Sequence, residues 1–285
     1  DSNYEWNKVI VEDFIDGTMI NLFYHNNEWM IATRSNIGAK CRWESKKYFY
    51  ELFDESNKDI DLSLLDKTNF YTFVLLHPEN TIVTKYTKPS VVLVSVGTVS
   101  NNRYVNLDVN SITSYTGYKI MRYNFESYNE AYDYVSKLNY QTQGLVLKYG
   151  DNMEYRSKIR NSNYNYVKLL KGNTNNLKFL YFELLRDKKY KEYLTFFPEK
   201  KELFDGFYKE FTTLVKNILF NYRQFHKYKK IKINEMPFKL RPLCFEVHNL
   251  YINTYNRNTD IDFNIIYNYL LSIDIPRILF SLHDN

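Results

Sequence analysis

Through the first 110 or so residues, apolar and polar positions alternate in short runs. Residues 9–15, 18–24 and 28–34 are rich in β-branched and aromatic side chains, and Asp16-Gly17 and His25-Asn26-Asn27 separate them. Short runs bounded by turn residues predict strands joined as successive antiparallel hairpins. Residues 46–53 have helical spacing, and residues 70–76, 81–86, 91–98 and 103–107 return to strand character. Ser127, with Glu130 three residues on, forms a capping-box pattern ahead of the apolar stripe Ala131, Tyr134, Val135 and Leu138. Residues 144–149 and 153–159 predict one more strand pair around Gly150-Asp151.

Beyond Gly172 the period changes. Phe207, Phe211, Leu214, Val215, Ile218, Leu219, Tyr222 and Phe225 fall on one helical face, and residues 177–185, 262–271 and 275–282 also read as helices. Asp274 ahead of Pro276 suits a helix start. The polar run Gly172-Asn173-Thr174-Asn175-Asn176 marks the expected boundary. The pattern therefore predicts an α+β chain with an antiparallel β-rich domain over residues 1–172 and an all-helical domain over residues 173–285. No repeat of fixed period interrupts it.

A chain of 285 residues is long enough for two modest cores. Aromatic residues make up 18% of it, with 28 Tyr and 20 Phe. AT-rich coding sequence supplies Tyr, Phe, Asn, Lys and Ile together, and such residues fill cores, so aromatic content alone is no evidence for base stacking. Cys41 and Cys244 lie far apart, and His25, His77, His226, His248 and His283 show no ligand spacing with them or with each other. No metal site is expected from them. No apolar stretch reaches the length of a signal peptide or membrane span, so the expectation is an intracellular protein, cytoplasmic or virus-associated, with no membrane partner. The first residue is Asp1 and strand-like sequence follows at once, so an upstream segment is expected to be missing. There is no phosphate-binding glycine loop of the common nucleotide-binding kinds.

Charge sharpens the picture locally. The net charge is +5, yet between Tyr149 and Lys191 ten Lys or Arg face four acids, an excess of six. Such a patch suits a polyanion, nucleic acid first, although a solvated basic face is equally common. The cluster Lys227, Lys229, Lys230 and Lys232 is expected to mark the solvated exit of a helix.

Five short segments in order carry a further meaning: Asp16-Gly17-Thr18, Ala32-Thr33-Arg34-Ser35, His77-Pro78-Glu79-Asn80-Thr81-Ile82-Val83, Gly144-Leu145-Val146-Leu147-Lys148 and Ser157-Lys158-Ile159-Arg160. Asp16-Gly17-Thr18 alone is an ordinary turn, but the series resembles the motifs of ATP-dependent RNA ligases in the covalent nucleotidyltransferase superfamily. The resemblance covers about residues 9–172 and is nearest the T4 RNA ligase 1-like branch, in which the ligase-type domain precedes a helical one. It implies a ligase-type nucleotidyltransferase fold for the first domain.

In that family the first motif is Lys-x-Asp/Glu-Gly, and its lysine attacks the α-phosphate of ATP, which requires a nitrogen lone pair. Here Phe14 occupies the lysine position, and phenylalanine forms no phosphoramidate. Val74 stands where the family usually has a nucleotide-contacting glutamate, and Gln143 stands where the fourth motif usually begins with a glutamate that helps hold metal. An amide hydrogen-bonds but offers no charge for a hard divalent cation. One such change fits an engineered block; three together fit natural loss.

The resemblance leaves Lys158 and Arg160 at the phosphate-contacting positions of the fifth motif. It makes Asp16, Gly17, Arg34, Gln143 and Lys148 the remaining nucleotide- or phosphate-binding candidates. Arg156, Tyr164, Lys168 and Lys171 are the RNA-contact candidates; for Tyr155, Tyr164 and Tyr166, packing is the commoner role. The leading expectation is an RNA-ligase-like pseudoenzyme that binds RNA or nucleotide, without a catalytic residue. ATP or AMP and magnesium belong to it only if the pocket is open. The alternatives are a ligase active in a parent form or on pre-adenylylated RNA, and a scaffold of a viral or other complex with a protein partner on the helical domain.

Overall fold

The computed structural model describes residues 5–58, 60–150 and 152–282. Asp151 and His283 lie outside them. The chain divides into two compact units, the first ending at Lys171 and the second beginning at Gly172.

The first unit contains β1 (Ile10–Asp13), β2 (Thr18–His25), β3 (Glu28–Ala32), α1 (Phe49–Ser56), β4 (Asn69–Leu76), β5 (Ser90–Ser100), β6 (Arg103–Leu107), β7 (Arg122–Tyr123), α2 (Tyr128–Ser136), β8 (Gly144–Tyr149), β9 (Tyr155–Arg160) and α3 (Ser162–Lys171). They form two antiparallel sheets, of order β3-β2-β4-β5-β6 and β7-β1-β8-β9. Ile20, Leu22, Tyr71, Phe73, Leu93 and Val96 build the core of the larger sheet, closed by Leu52 and Phe53 of α1. Val11, Leu145, Leu147 and Ile159 build the second core under Ala131 and Val135 of α2.

The β2–β3 hairpin forms as expected, with Asn26 at φ 50° and Asn27 at φ 64°, the left-handed pair that suits a two-residue turn. The β1–β2 hairpin does not. β1 pairs with β7 and β8, and β2 pairs with β3 and β4, so residues 14–17 carry the chain from one sheet to the other. Residues 81–86 form no strand, because the backbone N–H groups of Val83 and Thr84 bond to the Asp16 carboxylate and no partner strand receives them. Only half of the Ser127 capping box is built: Ser127 Oγ accepts from Glu130 N, while the Glu130 carboxylate reaches back to Glu126 N. α3 went unread in the sequence. The buried Asn161 opens it by accepting from Asn163 N with its side chain.

The second unit contains α4 (Leu177–Arg186), α5 (Tyr190–Phe196), α6 (Lys201–Tyr222), α7 (Arg241–Asn249), α8 (Phe263–Ser272) and α9 (Ile275–Leu282). Phe211, Leu214, Val215, Ile218 and Tyr222 of the expected stripe are buried, and α6 starts six residues before Phe207. Tyr181, Phe182, Phe204 and Phe211 meet edge to face, with centroids 5.0–5.4 Å apart. Aromatic excess thus becomes core.

α6 and α7 each end in a π-helical turn, Arg223–Lys227 and Leu250–Thr254. There the His226 and His248 rings stack at 4.0 Å, and His226 Nε2 and His248 Nδ1 are buried with no hydrogen-bond partner. Burial, then His248 and Lys229, pushes His226 down to about 4; burial, then Lys229 and Arg257, lowers His248. A depressed folded pKa means the neutral pair stabilises above the ordinary value of roughly 6.5, and that contribution is lost as pH falls toward about 4. Urea unfolding followed by helical circular dichroism is expected to shift to lower urea between pH 7 and 5. His226→Phe is expected to flatten that shift; an unchanged pH response in the variant refutes the assignment.

Candidate functional site

The crossover after β1 is fixed by its hydrogen bonds. Asp13 N donates to Met121 O at 3.0 Å and Phe14 N to Gly144 O at 2.9 Å. Asp16, 4% exposed, then anchors the segment: Oδ2 accepts from Val83 N at 2.9 Å and Thr84 N at 2.8 Å, and Oδ1 from Tyr164 Oη at 2.6 Å. Its backbone carbonyl accepts from Tyr86 Oη at 2.6 Å. Burial first, and Asp16 next, raise the pKa of both phenols, keeping them protonated donors. Gly17 is required by close approach: a Cβ there would lie 2.5 Å from Leu75 O and 2.7 Å from Val74 Cγ1.

Beside Phe14, at the seam of the two sheets, is a cavity of about 430 Å³, within the usual size of small-ligand sites. Phe14, Ile15, Leu76 and Val92 give it apolar surface, while Gln141, Thr142 and Gln143 bring amides and a hydroxyl. Tyr118, 73% exposed, Met121 and Gln141 are solvent-facing members of its lining. The one lining cation, Lys119, donates to Ile112 O at 2.5 Å.

A basic cluster stands over Phe14. The pleat of β9 puts Arg156, Lys158 and Arg160 on one face and Ile159 in the core. Lys158 Nζ lies 4.3 Å from the Phe14 ring centroid and Arg160 Cζ 5.9 Å. Burial lowers the Lys158 pKa, as do, more weakly, the like charges of Arg160, Lys168 and Arg156. An anion bound there would relieve that crowding. Phe14 therefore sits where the resemblance expects the nucleophile, with its ring under the two cations expected to face phosphate.

Several expected site residues are engaged elsewhere. Lys148 is buried, paired to Glu12 at 2.5 Å and donating to Val94 O at 3.0 Å, while Arg122 holds the other Glu12 oxygen. Lys148 is a core ion pair rather than a phosphate ligand, and desolvation lowers its pKa despite Glu12. Tyr164 is 0% exposed and presents no face to a base. Lys171 pairs with Glu44 at 2.7 Å and donates to Thr81 O. Arg156 bonds Ser95 Oγ and Asn106 Oδ1, both at 3.2 Å. Arg34 is exposed and outside the cavity lining; Gly17 is also outside it, and Asp16 borders the cavity with both carboxylate oxygens already accepting. Gln143, Lys158, Arg160 and Lys168 remain available to a ligand.

The cavity does not fit magnesium. Gln143 supplies an amide, Val74 is buried in β4 outside the lining, Asp16 is engaged, and burial raises the pKa of Asp13. The fold does gather Glu55, His77 and Glu79, which spacing did not foretell. Lys47 occupies that cluster, 2.9 Å from Glu55 and 2.8 Å from Glu79, so an internal ammonium already supplies the cation. It ties the Pro78 turn to α1.

Tyr118, Met121, Thr84 and Tyr86 were missed in the sequence. Thr84 and Tyr86 lie just past the His77 to Val83 segment, a signal that was there to use; Tyr118 and Met121 precede β7 with no motif around them. Among the described residues, no helix is long and apolar enough to cross a membrane.

No protein-family model matches the chain, and no curated protein matches it. Among solved structures it is similar to an archaeal ATP-dependent RNA ligase, at 14% identity and TM-score 0.42 over 86% of this chain and 60% of that one. It is similar to a putative ATP-dependent DNA ligase from Aquifex aeolicus, at 16% identity and TM-score 0.45 over 71% and 60%. A Naegleria gruberi RNA ligase mutant with ATP and Mn matches at 10% identity and TM-score 0.41 over 56% and 51%. The chain thus spans about half to three fifths of the length of the ligases it resembles.

Proposed function

We propose that this chain is an RNA-ligase-like protein that no longer adenylylates itself and instead holds a nucleotide or a phosphorylated RNA end at the Phe14 cavity. On this reading residues 1–172 are the nucleotidyltransferase portion and residues 173–285 a helical accessory domain. The observation that carries the reading is Phe14 itself. Its ring, at the position of the nucleophilic lysine, lies under Lys158 and Arg160 and beside an open cavity. A base enters the cavity against Tyr118, and its phosphate meets Lys158, Arg160 and Lys168.

Incubation with radiolabelled ATP and magnesium or manganese is expected to give no labelled protein–AMP adduct on a denaturing gel, and an alkali-stable, acid-labile adduct, as a lysine phosphoramidate would be, would sink the proposal. Lys158→Ala/Arg160→Ala is expected to weaken binding of 5′-phosphorylated RNA tenfold or more and to flatten its salt dependence by about 0.7 per lost cation. Equal affinity in the variant refutes the phosphate role.

A second reading follows from the open cavity. Sealing a pre-adenylylated 5′ end needs only that an RNA 3′ hydroxyl attack the activated phosphate while AMP leaves, with positioning and charge stabilisation from the protein. Joined product from pre-adenylylated RNA, absent in the double variant, identifies that activity; its absence beside tight binding leaves the non-catalytic form.

A further inference from the structure

The cations of β9 form a row that runs on past the Phe14 cavity. Arg156, Lys158 and Arg160 alternate onto one face of the strand, successive side chains about 6.8 Å apart. Lys158 and Arg160 lie over the Phe14 ring and Arg156 bonds two neutral groups, so among the described residues no carboxylate pairs with any of the three. The Glu154 carboxylate, just ahead of the row, turns back to accept from Asn152 N at 2.9 Å, and Glu12 is already held by Lys148 and Arg122. The charge of the row therefore awaits a partner.

Arg156 ends the row on the side away from Phe14. Both of its bonds, to Ser95 Oγ of β5 and Asn106 Oδ1 of β6, use Nη2, which leaves the Nη1 and Nε donors of the fork unused. Asn106 and Tyr104, two residues apart, share a face of β6. There the Tyr104 ring lies across Gly97 of β5: a Cβ on Gly97 would stand 2.3 Å from its Cζ and Oη and 2.5 Å from its Cε2. Glycine gives the ring room to lie down against the sheet, and its outer face stays open, the residue being 55% exposed. A ring seated on a sheet beside unpaired cations is a platform on which a base stacks. A single strand offers both phosphates for the row and an unpaired base for the ring, whereas an acidic peptide would match only the charge.

We infer that a single-stranded RNA whose 5′ phosphate is held at Lys158 and Arg160 runs on along β9, with a following phosphate on Arg156 and a base stacked on Tyr104. This rests on the Phe14 reading for the position of the 5′ end. It adds that the ligand is a strand of several nucleotides rather than a free nucleotide.

The test compares 5′-phosphorylated octauridylate with uridine 5′-monophosphate on the full chain, at several salt concentrations. The octamer is expected to bind more tightly by about tenfold or more, the contribution of one stacked base. Tyr104→Ala is expected to cost the octamer about tenfold with the salt slope and the mononucleotide affinity unchanged, while Tyr104→Phe, which keeps the ring, binds as the unmodified chain does. Arg156→Gln is expected to flatten the slope of log affinity against log salt for the octamer by about 0.7, as for one lost cation on a single strand, and to leave the mononucleotide unaffected. Tryptophan fluorescence during urea unfolding checks that each variant keeps the first unit folded. Equal affinity for octamer and mononucleotide, or undiminished octamer binding by Tyr104→Ala, overturns the proposal and leaves the Phe14 reading standing. No binding of either ligand overturns both. Equally tight binding of a 5′-phosphorylated duplex, or of a glutamate-rich peptide of the same charge, overturns the single-strand assignment.

Discussion

Asp16→Ala is expected to destabilise the first unit by about 4 kcal/mol, the largest loss from any single side chain at the seam. The carboxylate accepts three hydrogen bonds inside the protein, from Val83 N, Thr84 N and Tyr164 Oη. Bonds to an ionised acceptor contribute roughly 1.5–3 kcal/mol each, and deleting the acceptor leaves two backbone donors and a phenol desolvated with nothing to receive them. Asp16→Asn is expected to cost about half as much, because the amide oxygen still accepts from the 83–84 backbone and Tyr164 Oη can turn to accept from the amide. Trp6, Trp29 and Trp43 all belong to the first unit. Tryptophan fluorescence during urea unfolding therefore reports that unit separately from the helical one. A loss under about 1 kcal/mol for the alanine variant would show that the 81–86 segment is held by other contacts.

The same residue explains what the sequence could and could not reveal. The strands with a buried face, such as β2, β4 and β5, announce themselves by apolar runs, and the two asparagines announce the β2–β3 turn. The α6 stripe announces the helical unit equally well, since burial on one face demands its period. Asp16-Gly17 reads locally as a hairpin turn because both residues favour turns. Its real partners are 67, 68 and 148 residues away, and no local pattern encodes them. Long-range hydrogen bonds are also why residues 81–86, β-branched and apolar, do not become a strand.

The site was legible to the same degree and for the same reason. Lys158 and Arg160, two apart on a strand, share a face by the pleat alone, and motif order put Phe14 and Gln143 beside them. Burial decided the rest: Lys148 shares the sheet face of Arg156, Lys158 and Arg160 but is buried there against Glu12, and Tyr164 lies on the inner face of α3. Counting cations along the chain could not separate Lys168, which remains exposed, from Lys171, which is bound to Glu44. Tyr118 and Met121 reach the cavity through a parallel bridge, Leu93 with Lys119, that no periodicity foretells.

Phe14→Lys is expected to lower stability by about 1.5–3 kcal/mol at neutral pH and still yield no adenylylated protein. An ammonium at the ring position would stand about 4 Å from Lys158. Such a pair repels by about 4 kcal/mol at an effective dielectric near 20, and by roughly a quarter to a half of that once solvent screens the exposed Lys158. Losing the ring over two cations removes about 0.5–1 kcal/mol more. The sign of the pH dependence follows. The introduced amine has its folded pKa depressed below the unfolded value of about 10.4, so its stabilising neutral form is present above that value and is lost as pH falls through the folded pKa. The stability gap to the unmodified chain should therefore be widest near pH 7 and narrow steadily toward pH 10. The lowered pKa would free a lone pair for attack on phosphate, yet Gln143 and the buried Val74 supply no carboxylate to hold a divalent cation on the triphosphate. A labelled adduct from Phe14→Lys alone would show that the lysine was the only group missing. An adduct only when Gln143→Glu is added would locate the second loss at the cavity wall.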